Sequence, residues 1–354
     1  MTDKIEIQET ISKQNYKTTD EEFLNILRLI APGTNFRAAL NGALKIGKGA
    51  LVTVENSHLL SLIDGGFRIN ARFTPQRFME LTKMDGAIIL SKDMKKINYA
   101  NAMLAPDNRI KSNETGTRHK TAERTAKQTG NLTIAISERK NEITLYYKNV
   151  RYPILPTDDL IRKSNDYLQT IQKQRELFDK NIQTLTRVEL RNQQTLSHAV
   201  STIQKGVFAQ KIAANMHRYI LELGNEGTLI KTRLKELIEG VEKETDLVIK
   251  DYTNISLRRT KEVLENLSYE NVLDKEEIIK ALGYENSQKI SAIKGWRILS
   301  KTSLSDAEIA SLIKETGTLG AAIHSRSVLL NTFLGEEKTK LFDEEIRKIK
   351  MDYQ

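Results

Sequence analysis

Beyond Pro153 and Pro156 the apolar residues of this chain change their spacing, and that change limits the folds open to it. Ile161, Leu168, Ile171, Phe178, Ile182 and Leu185 recur at separations built from threes and fours, the period of one helix face. A single helix of about thirty residues would span ~45 Å at 1.5 Å per residue. Further helical patterns run through Ala199–Leu223, Leu229–Lys250 and Leu257–Leu264. Such a stripe predicts an all-helical spacer or bundle whose apolar face is core.

Before the prolines the pattern is mixed. Short helices are expected over Glu21–Ile30, Phe36–Ile46 and Thr74–Lys83, the last with Pro75 in its first turn. Ala50–Val54, Gly86–Leu90 and Leu132–Ile136 read as buried strands, and Glu142–Tyr147 as a half-exposed one. Strands separated by helices predict a mixed sheet flanked by helices over residues 1–150. A helical segment follows over 151–284, and a small helical segment over 285–354.

The chain has 354 residues, with 55 Lys and Arg against 46 Asp and Glu, a formal charge of +9. That balance favours an anionic partner without choosing among nucleotide, nucleic acid and lipid. With no cysteine, disulfides and thiolate metal sites are excluded. The five histidines show no metal-site spacing, and those outside the basic turn described below read as surface or packing residues. Met1–Lys13 lacks a signal-peptide core, and no apolar run approaches ~20 residues, so a cytoplasmic chain without a membrane partner is expected.

The most informative stretch is Glu114–Arg124. Arg118–Thr129 predicts a helix stopped by Gly130. Arg118, His119 and Lys120 fall in its first turn, where backbone N–H groups are free and the dipole is already positive. Three basic side chains there are unfavourable unless a polyanion sits among them, which points to a phosphate site. A solvated basic turn is the plainer alternative. Gly42–Lys48 follows the opening of a P-loop pattern, but Gly49 replaces the magnesium-binding hydroxyl and the element order is helix, loop, strand. An ordinary turn is expected there. Asp85, between a helix and a strand, is either a turn former or a carboxylate beside polyphosphate; Gly86 and Ala87 would admit a flat ligand. Ser137 and Glu138 close another strand and could complete such a pocket.

Asp85-Gly86-Ala87, Gly116–Arg124 and Ala135–Arg139 together resemble the successive signatures of diadenylate cyclase domains of the DisA family. Ala31–Thr34 and Asp64–Phe67 resemble the same domain. Glu222–Gly227, Ile249–Tyr252 and Leu282–Tyr284 resemble the family's helical spacer. The resemblance implies an α/β cyclase domain, an all-α spacer and a helix-hairpin-helix-like C-terminal domain. It implies condensation of two ATP into cyclic di-AMP and two pyrophosphates, using Mg²⁺ or Mn²⁺. Two active sites must then face each other in a homo-oligomer, in this family an octamer. Asp85 would bind the metal and help deprotonate the 3′-hydroxyl, with Glu138 assisting at the metal. Gly86 and Ala87 would line the nucleotide, with Leu104 near the adenine. Thr117, Arg118, His119, Lys120, Thr121 and Ser137 would hold phosphates.

Two positions depart from the family pattern. Lys120 stands where the family has arginine, keeping the charge but losing the planar fork. In the C-terminal segment, Asn331–Glu337 places Phe333 at the first glycine of the family's hairpin, and Glu336 and Glu337 follow Gly335. That segment has 11 Lys and Arg against 10 Asp and Glu, so only weak DNA binding is expected, from Lys289, Lys294, Arg297 and Lys301. The other reading is a DNA-junction binder whose nucleotide site senses ATP without turning it over.

Overall fold

The computed structural model of the protein describes residues 17–285, 292–325, 330–331 and 334–353. They divide into two compact units. One comprises the chain up to Ser164 with Arg218–Leu229; the other comprises Asn165–His217 and the chain from Ile230 onward.

The first unit opens with helices α1 (Lys17–Leu29) and α2 (Asn35–Ile46). Thr34 caps α2 by accepting the Arg37 N–H at 3.1 Å, and Gly47, at φ 73°, ends it in the left-handed conformation. Gly47 and the residues after it form the ordinary αβ turn expected from the failed P-loop pattern. Strands β1 (Ala50–Val54), β2 (Ile63–Asp64) and β3 (Phe67–Arg72) follow, then α3 (Pro75–Leu81), β4 (Ala87–Leu90) and β5 (Lys96–Leu104). Helix α4 (Thr117–Thr129) precedes β6 (Thr133–Ser137), β7 (Glu142–Tyr147) and β8 (Val150–Ile154).

The sheet runs β2-β5-β4-β1-β6-β7-β8, with β3 also paired to β5. Among the described residues only β1 and β4 pair in parallel; the other pairs are antiparallel. Side chains of one strand alternate between two apolar clusters. Val52, Ile88, Leu90, Ile134, Ile136, Ile143 and Leu145 join α1–α3 on one side. Leu51, Ala87, Ile89, Ala135 and Tyr146 join Ala122 and Ala126 of α4 on the other. Strand β7 is therefore not half-exposed as expected: residues 143–146 are all buried, because both faces are covered. Pro153 lies inside β8, so the change of pattern falls at Pro156. An edge strand tolerates the missing N–H.

Arg218–Leu229 adds a buried polar cluster to this unit. Glu222 is fully buried and accepts a hydrogen bond from the Tyr152 hydroxyl, while the Arg218 guanidinium lies 4.4 Å from the Tyr152 ring centre. Arg37, also buried, donates to the Leu155 carbonyl at 2.6 Å.

The helices that follow β8 are α5 (Thr157–Leu190), α6 (Leu196–Leu223), α7 (Thr228–Ile238), α8 (Val241–Tyr252), α9 (Leu257–Asn266), α10 (Tyr269–Leu273) and α11 (Lys275–Ala281). The helix expected over Leu229–Lys250 is two, because Gly240 at φ 74° breaks it. After them come α12 (Trp296–Leu299), α13 (Asp306–Thr316), α14 (Leu319–His324) and α15 (Glu336–Asp352). Residues on both sides of 284, from Phe178 and Tyr252 to Leu304, Leu312 and Phe342, share one apolar core. Asp251 accepts the backbone N–H groups of Gly295, Trp296 and Arg297 at 2.9, 2.7 and 3.0 Å.

The expected basic patch in this region does not form as drawn. Arg297 is fully buried in an ion pair with Glu189, where its charge is neutralised and no polyanion can reach it. Lys294 is exposed, and Lys301 is half-buried beside the Tyr353 ring. Lys289, Thr332 and Phe333 lie outside the described residues. Gly335 holds φ 80° immediately before α15, whose first turn carries Glu336 and Glu337. Among the described residues no helix is long and apolar enough to cross a membrane.

Candidate active site

Strand register brings the sequence motifs to one end of the sheet. Leu51 of β1 lies beside Ala87 of β4, Ala50 beside Ile136 of β6, and Ala87 beside Ala102 of β5. Asp85 and Gly86, which lead into β4, therefore share this end with Ser137 and Glu138 at the close of β6. Leu104 closes β5 two positions past Ala102, its side chain buried. Gly86 is fixed by its surroundings. At φ 87° it faces the β5 backbone, and a Cβ there would meet the Asn101 carbonyl carbon at 2.8 Å. Glu138 is exposed in the turn after β6, and Ser137 Oγ accepts the Lys140 N–H at 3.3 Å.

Helix α4 delivers its basic first turn to the same end. Gly116 starts it in an extended conformation without a side-chain cap, and no acid occupies the first turn. Its free N–H groups and the Arg118 and Lys120 cations thus stand without an acidic partner on the helix itself. Ala122 and Ala126, both fully buried, seat α4 on the sheet. Thr117 and Arg118 are exposed; His119, Lys120 and Thr121 are partly buried.

Three residues of the quoted motif that had been given no role hold the preceding loop. Glu123 accepts from Ser112 Oγ at 2.5 Å, from the Asn113 N–H at 3.2 Å and from Lys127 Nζ at 2.7 Å. Burial opposes its charge, but Lys127 and Ser112 hold the carboxyl below its usual range. Arg124 donates to the Ile110 carbonyl at 3.0 Å and to Asn108 Oδ1 at 2.8 Å. Glu114 accepts from the Tyr146 hydroxyl at 2.7 Å and from Arg151 Nε at 2.5 Å. For Glu123 the signal was an acid beside Ala122 on the buried face of α4, which needs a partner there. No comparable signal marked Glu114, in the loop before α4, or Arg124.

Asp85 and Arg118 meet. Asp85 Oδ1 is 3.8 Å from Arg118 Nη2, with the Asp85 side chain wholly exposed and that of Arg118 44% exposed. The guanidinium reaches this position across Gly49. A Cβ at Gly49 would lie 2.3 Å from Arg118 Nη1 and 3.1 Å from the Ile136 carbonyl oxygen. His119 meets Tyr146 edge to face, with ring centres 6.4 Å apart. Burial pushes its imidazole pKa down. That direction favours the neutral imidazole, which can both donate and accept hydrogen bonds, beside the Arg118 and Lys120 side chains of the same turn.

Among the described residues no cluster of three His, Asp or Glu side chains could hold a metal alone. Asp85 fits a different kind of site, since its carboxylate is open to solvent with one distant cation beside it. Mg²⁺ is commonly held by one or two carboxylates together with substrate phosphates, and an open Asp85 with Glu138 at the same sheet end suits that donor set. The arrangement offers cations and N–H groups for polyphosphate, an open carboxylate for a metal or proton, and a side-chain-poor floor.

Two protein-family models match the chain. One, described as the DisA bacterial checkpoint controller nucleotide-binding region, covers residues 37–151; the other, the DisA bacterial checkpoint controller linker region, covers residues 156–291. The DNA integrity scanning protein DisA of Acetivibrio thermocellus is 38% identical over 341 residues, spanning 93% of this chain and 95% of that protein. The protein of the same name from Clostridium botulinum strain Loch Maree is 40% identical over 288 residues, spanning 80% of this chain and 82% of its own length. Among solved structures, a double mutant of DacA from Staphylococcus aureus is 22% identical, covers 39% of this chain and 90% of its own, and superposes with a TM-score of 0.30.

Proposed function

The chain belongs to the DisA family and is a diadenylate cyclase, and from that premise we propose how its own residues condense two ATP into cyclic di-AMP and two pyrophosphates. The observation that supports the assignment best is the meeting of Asp85 with Arg118 at the sheet end where the acid-free start of α4 also lies.

In this reading Thr117, Arg118, Lys120, Thr121 and the first-turn N–H groups of α4 hold the triphosphate, with Ser137 at the neighbouring strand end. Gly86 and Ala87 leave room for the nucleotide, Leu104 packs near the adenine, and neutral His119 donates to a phosphate oxygen. Asp85 exchanges its contact with Arg118 for the substrate and takes the 3′-hydroxyl proton. A new O3′–Pα bond forms as the bond from Pα to pyrophosphate breaks, and the step occurs once in each direction. A divalent cation, Mg²⁺ or Mn²⁺, held by Asp85 and Glu138, supplies charge neutralisation at the phosphates when bound.

One chain carries one such site, so both bonds require two sites face to face, as in a homo-oligomer such as the octamer. Holding the two nucleotides in line can lower the barrier by roughly 7–11 kcal/mol at best. Residues 1–150 serve as the cyclase segment, 151–284 as the helical linker and 285–354 as the C-terminal segment, with DNA contacts weak and confined to exposed lysines such as Lys294.

The test is a product assay with the purified full chain, ATP and either Mg²⁺ or Mn²⁺, the nucleotides being separated chromatographically. Cyclic di-AMP is expected. Unchanged ATP, or ADP alone, in every metal would rule the cyclase reading out.

A further inference from the structure

We propose that Gly49 is a positioning residue for the cyclase reaction, and that its missing side chain is the track along which Arg118 reaches the reacting end of the sheet. The inference rests on the cyclase reading above and deepens it by one residue.

Gly49 precedes β1 and is buried. Its backbone does not require glycine: unlike Gly47, two residues earlier, it is absent from the positive-φ glycines. What excludes a side chain is Arg118. A Cβ at Gly49 would lie 2.3 Å from Nη1 and 3.1 Å from the guanidinium carbon. The nearest backbone atom, the Ile136 carbonyl oxygen, would be 3.1 Å away. That is tighter than an ordinary contact but relieved by a shift of a few tenths of an ångström, against the far larger overlap with Nη1. The tip of a long arginine moves much further, and more readily, than a strand does. An alanine at 49 should therefore leave the fold standing and push the guanidinium aside.

That displacement matters because Arg118 is half-exposed and, among the described residues, Asp85 is its one ion-pair partner, at 3.8 Å. A free arginine in a helix first turn has many rotamers, and ordering it on substrate binding costs entropy. Seated over Gly49 between β1 and Asp85, the planar fork is already near the place where phosphate must arrive. The glycine thus contributes to turnover through Arg118, without touching substrate.

The test compares the full chain carrying Gly49→Ala, Arg118→Lys and both changes, by steady-state kinetics, equilibrium ATP binding and thermal melting. Gly49→Ala should keep its melting temperature within a few degrees and lose about 10- to 100-fold in kcat/KM, as small misplacements of a positioned group do. Lysine has no Nη1 branch to collide with, so in the Arg118→Lys background Gly49→Ala should change kcat/KM by less than about twofold. Equal losses in both backgrounds would assign Gly49 to the strand alone and overturn the proposal. So would a Gly49→Ala enzyme within about twofold of wild type. If wild type forms no cyclic di-AMP, the cyclase reading fails separately. The same non-additivity in ATP affinity then decides the role of Gly49.

Discussion

Arg297 and Glu189 form an ion pair in which both side chains have no solvent exposure. Glu189 also accepts the Tyr252 hydroxyl at 2.9 Å, and Arg297 Nη1 donates to Thr186 Oγ1 at 3.0 Å. A buried charge that loses its partner is expensive, about 3–5 kcal/mol. Arg297→Met should lower stability by that order in urea denaturation. A loss below about 0.5 kcal/mol, the range of surface changes, would mean that the pair is open to water in solution.

Asp85→Asn should cut cyclic di-AMP formation by about 10²-fold or more, the order that a positioned general base contributes. Its side chain is fully exposed, so melting should shift by no more than a surface change does. Turnover like that of wild type would remove Asp85 from the mechanism.

Lys120 lies in the α4 first turn, its N–H donating to the Gly116 carbonyl at 2.9 Å. Lys120→Arg should preserve or raise kcat/KM, because a planar fork replaces a point charge. Lys120→Ala should lower it by about tenfold, the value of one charge-assisted contact. Alanine kinetics matching wild type would place Lys120 outside the phosphate site.

His119 gives the site a pH dependence of known sign. Burial holds its folded pKa below the unfolded value, which is near 6.5. Its contribution to stability is therefore complete above about pH 6.5 and is lost as pH falls through the lower folded value. Melting of wild type should fall between about pH 7.5 and 5.5 by more than that of His119→Gln. Parallel curves would show that the imidazole is solvated in the native protein.

DNA binding should be weak, on the order of 10⁻⁴–10⁻⁶ M, and steeply salt-dependent. Glu336 and Glu337 already occupy the first turn of α15, where a DNA phosphate would otherwise sit. Titrations of branched and linear duplexes at two salt concentrations should show Lys294→Glu weakening both equally. Gly335→Leu, strained at φ 80°, should leave the affinity unchanged. A strong preference for branched DNA that Gly335→Leu destroys would show that this turn engages DNA despite its acids.

Local signals in the chain were dependable where neighbours in sequence decide the outcome. The helix over Arg118–Thr129 and its stop at Gly130 follow from propensity and a left-handed cap, and α4 spans Thr117–Thr129 as those signals require. Strand Ala50–Val54 and the helical period after Pro156 were readable for the same reason. Strand β5 was not. Asn98 and Asn101 interrupt its apolar alternation, and it exists because β4 on one side and β2 and β3 on the other supply partners.

The amino-acid order alone also named most of the candidate site, through the Asp-Gly-Ala, basic-turn and Ser-Glu motifs. Only tertiary structure put Asp85 against Arg118, laid the guanidinium over Gly49, and half-buried the His119 ring so that its neutral form is favoured. It likewise withdrew Arg297 from solvent and joined Arg218–Leu229 to the cyclase unit. The physical reason is common to all of these. A helix or a cap is settled within a few residues, whereas strand register, and whether a charge is wet or buried, depend on partners that arrive from far along the chain.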